Sequence, residues 1–289
     1  MNSGNADMVN RVINCKLCGK AMEIHFRANG YLLYRCAYCS FEQFIINGRF
    51  DRVIYKSRYF ESNKYKDKVS LDLENKRRFS LLKKYVKDGG KVADYGCGSG
   101  EFVEYAGQKY EMYGFDISSD AIAIAKKRFP IYKKNFFILE DFKKGILKFD
   151  AICLWDVIEH IEDPNELIKL LKKRMNNDGI MILSTPDIGA LFAKIAKAKW
   201  PFMTPPEHLC FFSKKSVRYF AEKNGFEICE RYVRGKWANV GFIIYKFNKV
   251  SKIKIPKVIA EAFCKGKLAS LRLYVPTHDV QYVVFRKKG

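Results

Sequence analysis

Apolar and polar positions follow two rhythms along this chain. Between residues 89 and 190, short apolar runs at 92–95, 112–115, 136–139, 149–154 and 179–183 alternate with longer amphipathic stretches. Runs of that length, rich in Val, Ile, Leu and Phe, predict buried strands; the stretches between them predict helices at 101–108, 119–128 and 164–176. Ser118 or Ser119 caps the second helix, and Asp163 caps the third with Pro164 in its first turn. This alternation predicts a parallel sheet covered on both faces, with the strand ends gathered on one edge. Upstream, Leu71, Arg78, Phe79, Leu82, Tyr85 and Val86 recur at helical spacing within 57–87, and Asp88-Gly89-Gly90 stops the pattern. Downstream come helices at 188–199 and 214–224, the latter capped by Ser213 and ended by Gly225. Strands are predicted at 226–233 and 281–286.

The N-terminal rhythm has period two. Residues 23–26 and 31–35 read as short strands joined by an Asn29-Gly30 turn, and 41–45 adds a third. Around them stand Cys15-x-x-Cys18 and Cys36-x-x-Cys39, with 17 residues between the pairs. That spacing predicts a tetrahedral zinc site on a zinc-ribbon-like element at 11–46. So small a unit has little core, and the metal supplies its folding energy. Four cysteines complete the shell, so the zinc is structural or substrate-presenting and His25 is not needed as a ligand.

Composition narrows the setting. The 289 residues, 48% hydrophobic, suffice for one large core and an appendage. No apolar run is long enough for a transmembrane segment, and residues 1–9 carry no signal-peptide core. Nine cysteines without an export signal predict a reducing, cytoplasmic setting. The net charge is +22, yet residues 69–190 are nearly neutral and the flanks carry the excess. Basic flanks suit a polyanion: RNA, a phosphate-linked substrate or an anionic membrane surface, or they are merely solvated lysines.

The chemistry concentrates at Asp94-Tyr95-Gly96-Cys97-Gly98-Ser99-Gly100, where glycines at alternate positions follow a strand and open a helix. Glycine serves where backbone must turn with positive φ or approach a ligand. Twenty residues past Gly96, Asp116 ends the next strand, the place where a carboxylate holds a ribose. With Glu140-Asp141 after the third strand and the segment from Asp150 to Asp163-Pro164, the chain resembles the class I S-adenosylmethionine-dependent methyltransferases over roughly 89–185. The resemblance implies an α/β fold: a Rossmann-like, doubly wound, mostly parallel seven-stranded sheet, whose last strand at 281–286 is an antiparallel edge partner. Its implied parts are a core at 89–233 plus 280–288, a linking helical segment at 57–88, a substrate loop and helix at 186–212, and an insertion at 234–279.

By the same resemblance, the backbone at Gly96, Gly98 and Gly100 faces the methionyl moiety of S-adenosyl-L-methionine, and Asp94 holds its ammonium. Asp116, with Ile117 beside it, takes the ribose. Asp141 receives the adenine amino group, with Phe142 beside the ring. Trp155 and Asp156 border the methyl-transfer region, and Tyr59, Phe60 and Tyr65 line the entrance. The segment 156–164 resembles that of small-molecule methyltransferases, including ubiquinone-pathway O-methyltransferases. Pro206-Glu207-His208-Leu209 resembles a segment of surface-sugar and secondary-metabolite enzymes.

A small-molecule or glycan acceptor methylated on a hydroxyl is therefore expected, its acceptor carrying a phosphate-linked group. A hydroxyl benefits from a base, and His208, then His160, with Glu207 beside them, border the expected pocket. Either histidine can equally fix a loop by hydrogen bonding. The motifs of amino-methylating and RNA cytosine-methylating enzymes are absent. RNA remains the alternative acceptor, because guanine methyltransferases of ribosomal RNA share a zinc ribbon ahead of the core. A non-catalytic cofactor-binding or zinc scaffold is the third reading. The basic tract at 252–259 reads as a substrate cap or as a peripheral membrane contact.

Overall fold

The computed structural model describes residues 12–46, 68–250, 255, 256, 258 and 271–288. Tyr59, Phe60, Tyr65 and most of the 252–259 tract lie outside the described residues.

The N-terminal element is an antiparallel ribbon: β1 (Ile13–Asn14), β2 (Ala21–Ala28), β3 (Tyr31–Arg35) and β4 (Glu42–Phe44). Asn29 (φ 46°) and Gly30 (φ 85°) both adopt the left-handed backbone that a two-residue hairpin turn needs.

Next come α1 (Lys68–Lys83), β5 (Lys91–Tyr95), α2 (Glu101–Ala106), β6 (Glu111–Asp116) and α3 (Ser119–Arg128). They are followed by β7 (Phe136–Ile138), α4 (Leu139–Lys144), β8 (Phe149–Trp155), α5 (Pro164–Lys173) and β9 (Met175–Pro186). The remainder comprises α6 (Leu191–Ala196), β10 (Cys210–Phe211), α7 (Lys214–Lys223), β11 (Phe226–Asn239), α8 (Val240–Val250) and β12 (Arg272–Lys287).

The large sheet runs β11-β12-β9-β8-β5-β6-β7. Pairs from β9 to β7 are parallel, and β12 pairs antiparallel with both β9 and β11. This is the expected doubly wound, Rossmann-like seven-stranded arrangement. Val92, Ala93, Ile152, Leu154, Ile182 and Val283 are fully or almost fully buried between the helical layers. The caps are as read: Ser118 accepts from the N–H of Ala121, and Asp163 accepts from Asn165 and Glu166.

Two readings change. The ribbon is not a separate appendage, because β10 pairs with β4 and completes its sheet as a fifth strand. The supposed insertion from residue 234 begins as a continuation of the edge strands. Pairing of β11 with β12 passes an irregularity at Arg234/Lys236 and runs on to Asn239↔Arg272. Gly235 permits this: a Cβ there would lie 1.8 Å from the Val275 carbonyl oxygen. The glycine marks a bulge with close backbone approach, not a strand end.

Candidate active site

After β5 the backbone turns through Gly96 (φ 85°), Gly98 (φ 54°) and Gly100 (φ 88°), all left-handed. The amides of Gly96 and Cys97 both donate to the Phe115 carbonyl, at 2.7 and 3.0 Å, folding the loop over β6. Asp116 holds the loop from the other side. Its Oδ2 accepts from the Gly98 amide at 2.9 Å, and its Oδ1 from the Ser118 amide at 2.8 Å. Burial raises the Asp116 carboxyl above the usual carboxylate range, and these amides pull it back down.

Asp94, near the end of β5, is 2% exposed, and its Oδ1 has no hydrogen-bond partner among the described residues. Burial pushes its carboxyl up to about 7, against the opposing pull of Arg78. An orphaned acidic oxygen under a glycine loop calls for a cationic or hydrogen-donating ligand.

On the neighbouring strand ends, Arg78 of α1 lies over the Trp155 ring at 5.3 Å and reaches Asp156 Oδ2 at 3.3 Å. Lys236 of β11 reaches the same oxygen at 3.4 Å. Asp156 adopts φ 57°, and its amide donates to the Ser184 carbonyl at 3.0 Å. Trp155 is almost buried, edge-on to Phe102.

A short 3-10 turn, Ile158–His160, follows. Glu159 is 1% exposed and accepts from the Thr185 hydroxyl at 2.9 Å; burial, then the nearby Asp156, push its carboxyl up to about 8. His160 Nδ1 donates to the Glu207 carbonyl at 2.7 Å, and His208 Nδ1 donates to the Phe202 carbonyl at 2.6 Å. A carbonyl only accepts, so both rings carry the proton on Nδ1. The rings meet edge to face, 4.8 Å between centroids. The structure thus brings His160 and His208 together with Glu159, which the sequence reading did not single out. The Asp156-x-x-Glu159-His160 spacing, with all three beyond the end of β8, was the available signal.

Ile117 is 41% exposed beyond β6, and Asp141 is exposed in the first turn of α4. Phe142 is a correction. It is 0% exposed and packs among Tyr95, Phe115 and Phe149, so it can touch no ligand. The first turn of α4 puts Asp141 outward and its neighbour into the core. His25 pairs with Glu42 within the ribbon, far in sequence from these strand ends.

In the ribbon, one sulfur from each of Cys15, Cys18, Cys36 and Cys39 lies within 4.8 Å of all the others. Cys15 and Cys39 sulfurs are 3.5 Å apart, and Cys18 and Cys36 sulfurs 3.4 Å, well beyond a disulfide bond. Hydrogen bonding, chiefly from Cys39, lowers the Cys15 thiol to about 5, whereas burial raises Cys18 to about 11. A thiolate quartet needs a cation to hold all four charges, and this donor set fits zinc.

A family model described as a methyltransferase domain matches residues 67–231, more than half of the chain. The chain belongs to that family. This methyltransferase-domain protein is 33% identical over 107 residues to a ubiquinone biosynthesis O-methyltransferase of Glaesserella parasuis, covering 34% of this chain and 45% of that one. It is 31% identical over 129 residues to a tRNA U34 carboxymethyltransferase of Campylobacter lari, covering 37% and 40%. The chain spans about half the length of the curated relatives it matches. Among solved structures, magnesium protoporphyrin IX methyltransferase from Synechocystis with bound S-adenosylhomocysteine (SAH) superposes with TM-score 0.53 at 17% identity, covering 82% of this chain and 98% of that one. A SAM-dependent methyltransferase from Archaeoglobus fulgidus gives 0.50 at 21%, covering 75% and 94%. At these identities the structures establish the shared fold.

Proposed function

We propose that this methyltransferase-domain protein transfers a methyl group from S-adenosyl-L-methionine to an oxygen of a small-molecule or glycan acceptor. The observation that carries the reading is the orphaned Asp94 Oδ1 beneath three left-handed glycines. Asp94 would hold the donor's ammonium, and the backbone of Gly96, Gly98 and Gly100 its methionyl part. Asp116 would take the ribose beside Ile117, and Asp141 the adenine amino group. The donor, when bound, supplies an electrophilic methyl carbon on a sulfonium. The protein's own work is to align the acceptor with that carbon, exclude water and remove a proton.

Trp155, Asp156, His160 and His208 would form the acceptor side. The proton on Nδ1 puts the lone pair of each neutral ring on Nε2, as a general base requires. His208 would act with His160 beside it, while Glu207 contributes the carbonyl that orients His160. Arg78 and Lys236 share the one Asp156 carboxylate, which favours an acceptor with an anionic, phosphate-bearing group. The cysteine quartet would hold a structural zinc.

The test is calorimetric binding of the donor or SAH, followed by transfer of labelled methyl to fractionated acceptor pools. Replacing His208 with Ala should lower turnover by about 10²- to 10⁴-fold and spare donor affinity. Equal loss of both would make His208 purely structural.

An RNA acceptor is the second reading. It is favoured by a groove of about 460 Å³ between the ribbon and α7, whose lining includes Tyr38, Lys215, Arg218 and Tyr219 along with the acidic Glu222. Tyr38 is 57% exposed there, offering an aromatic face beside cations. RNA retention falling steeply with salt would favour it.

A further inference from the structure

Glu159, His160 and His208 have a geometry that proton transfer alone does not require. A carboxylate oxygen and one nitrogen from each ring lie within 4.8 Å of one another; Glu159 and His208 are buried and His160 partly so. Among the described residues, the only other such cluster is the cysteine quartet. Both Nδ1 atoms donate to backbone carbonyls, those of Glu207 and Phe202. An Nδ1–H fixed on a carbonyl sets ring orientation and tautomer, and is the usual outer support of a metal-ligating imidazole. The Thr185 hydroxyl donates to the carboxylate at 2.9 Å.

The two contributing segments are also tied together. The Leu209 amide donates to the Glu159 carbonyl at 2.8 Å, and the Cys210 thiol lies 3.3 Å from the Ile158 carbonyl. These contacts join the turn that carries Glu159 and His160 to the segment that carries His208. Lys236, whose charge acts on this carboxylate, is itself engaged by Asp156 at 3.4 Å.

We propose that Glu159, His160 and His208 bind one first-row divalent cation, separate from the metal of the cysteine quartet. Two imidazoles and a carboxylate suit Zn²⁺, Fe²⁺ or Mn²⁺ better than Mg²⁺ or Ca²⁺, which prefer all-oxygen shells. Three protein ligands leave a coordination position open. Its role, unlike its binding, rests on the reading that this edge faces the acceptor. There the ion would lower the pKa of a coordinated acceptor hydroxyl, whose proton would pass to solvent, and His160 and His208 would then serve as ligands instead of as the base.

The experiment uses the full chain, stripped by chelation and titrated with Co²⁺, with bound metal counted by equilibrium dialysis and followed by visible absorption. Two equivalents are expected, one with sulfur-to-metal charge transfer and one without. His208→Asn and Glu159→Gln should each weaken the second equivalent by about 10- to 100-fold or more and leave the first intact. A single, sulfur-bound equivalent in the unaltered protein overturns the inference, as does a second equivalent that survives both substitutions. SAH affinity, measured in parallel, separates the two readings. One metal equivalent with intact SAH binding sinks the second site alone. Two equivalents without SAH binding sink the methyltransferase reading alone.

Discussion

Asp116 and Gly98 are joined directly: the carboxylate Oδ2 accepts the glycine amide at 2.9 Å. The residue expected to hold a ribose therefore also shapes the loop above it. Because its other oxygen takes the Ser118 amide, both oxygens are committed to N–H donors. In Asp116→Asn, one of those donors would face an NH₂ group. We expect a stability loss of about 1–3 kcal/mol, read by urea denaturation, together with weaker SAH binding. Unchanged stability with weakened binding would assign Asp116 to the ligand alone.

Donor binding should follow the ionisation of Asp94. Its native carboxyl keeps a proton to about 7, whereas an unfolded aspartate releases it near pH 4. The folded state thus binds the extra proton, and the protein without donor loses up to about 1.4 kcal/mol of stability per pH unit as pH rises between those values. A cationic ammonium prefers the ionised form, so donor affinity should rise up to about tenfold per pH unit below about pH 7 and level off above it. Calorimetry from about pH 5.5 to about pH 8 reads this slope. Asp94→Asn should flatten it.

Gly96 is constrained twice. Its φ is +85°, and a Cβ would lie 2.5 Å from Val157 Cγ2. Gly96→Ala should cost about 1–3 kcal/mol, seen as a lower Tm, and should weaken SAH binding. Adding Val157→Ala should return the part due to the clash and leave the part due to backbone conformation. Full recovery would show that the left-handed turn is not needed.

Arg231 and Asp187 form a largely buried pair at 2.6 Å, with the Arg231 Nε donating to Gln281 at 3.0 Å. Burial raises the Asp187 carboxyl, and Arg231 offsets that effect. Arg231→Met should destabilise by about 3 kcal/mol, because a carboxylate would be left buried without its guanidinium. Arg231→Met combined with Asp187→Asn should lose less than Arg231→Met alone, which denaturation midpoints would reveal.

What the sequence disclosed was whatever lies close together along the chain. The glycine loop, Asp116 and the helix caps at Ser118 and Asp163 are local devices, and each stands where the residue pattern put it. Asp141 and Phe142 were both expected at the adenine; they are consecutive on a helix, and only the packing against Phe115 and Phe149 decides that Phe142 turns into the core. The meeting of Arg78 and Lys236 on Asp156 spans separations of 78 and 80 residues and leaves no local trace. The strand predicted to end at 233 runs on past Gly235, because a bulge and a terminus share the same residue signature. Glu159 escaped notice because its burial depends on Thr185 and Leu209, which the fold brings in from elsewhere.

The pairing of β10 with β4 has a consequence for dissection of the protein. The Leu209 carbonyl accepts the Phe44 amide at 2.8 Å, one residue from His208, and Asn29 donates to the Met203 carbonyl at 3.1 Å. Removing residues 12–46 would strip those partners from the segment 203–211 and lay open fully buried Phe211 together with an unpaired strand edge. The cysteine-rich segment is thus a wall of the catalytic half, and neither could be exchanged between related chains without carrying the other along.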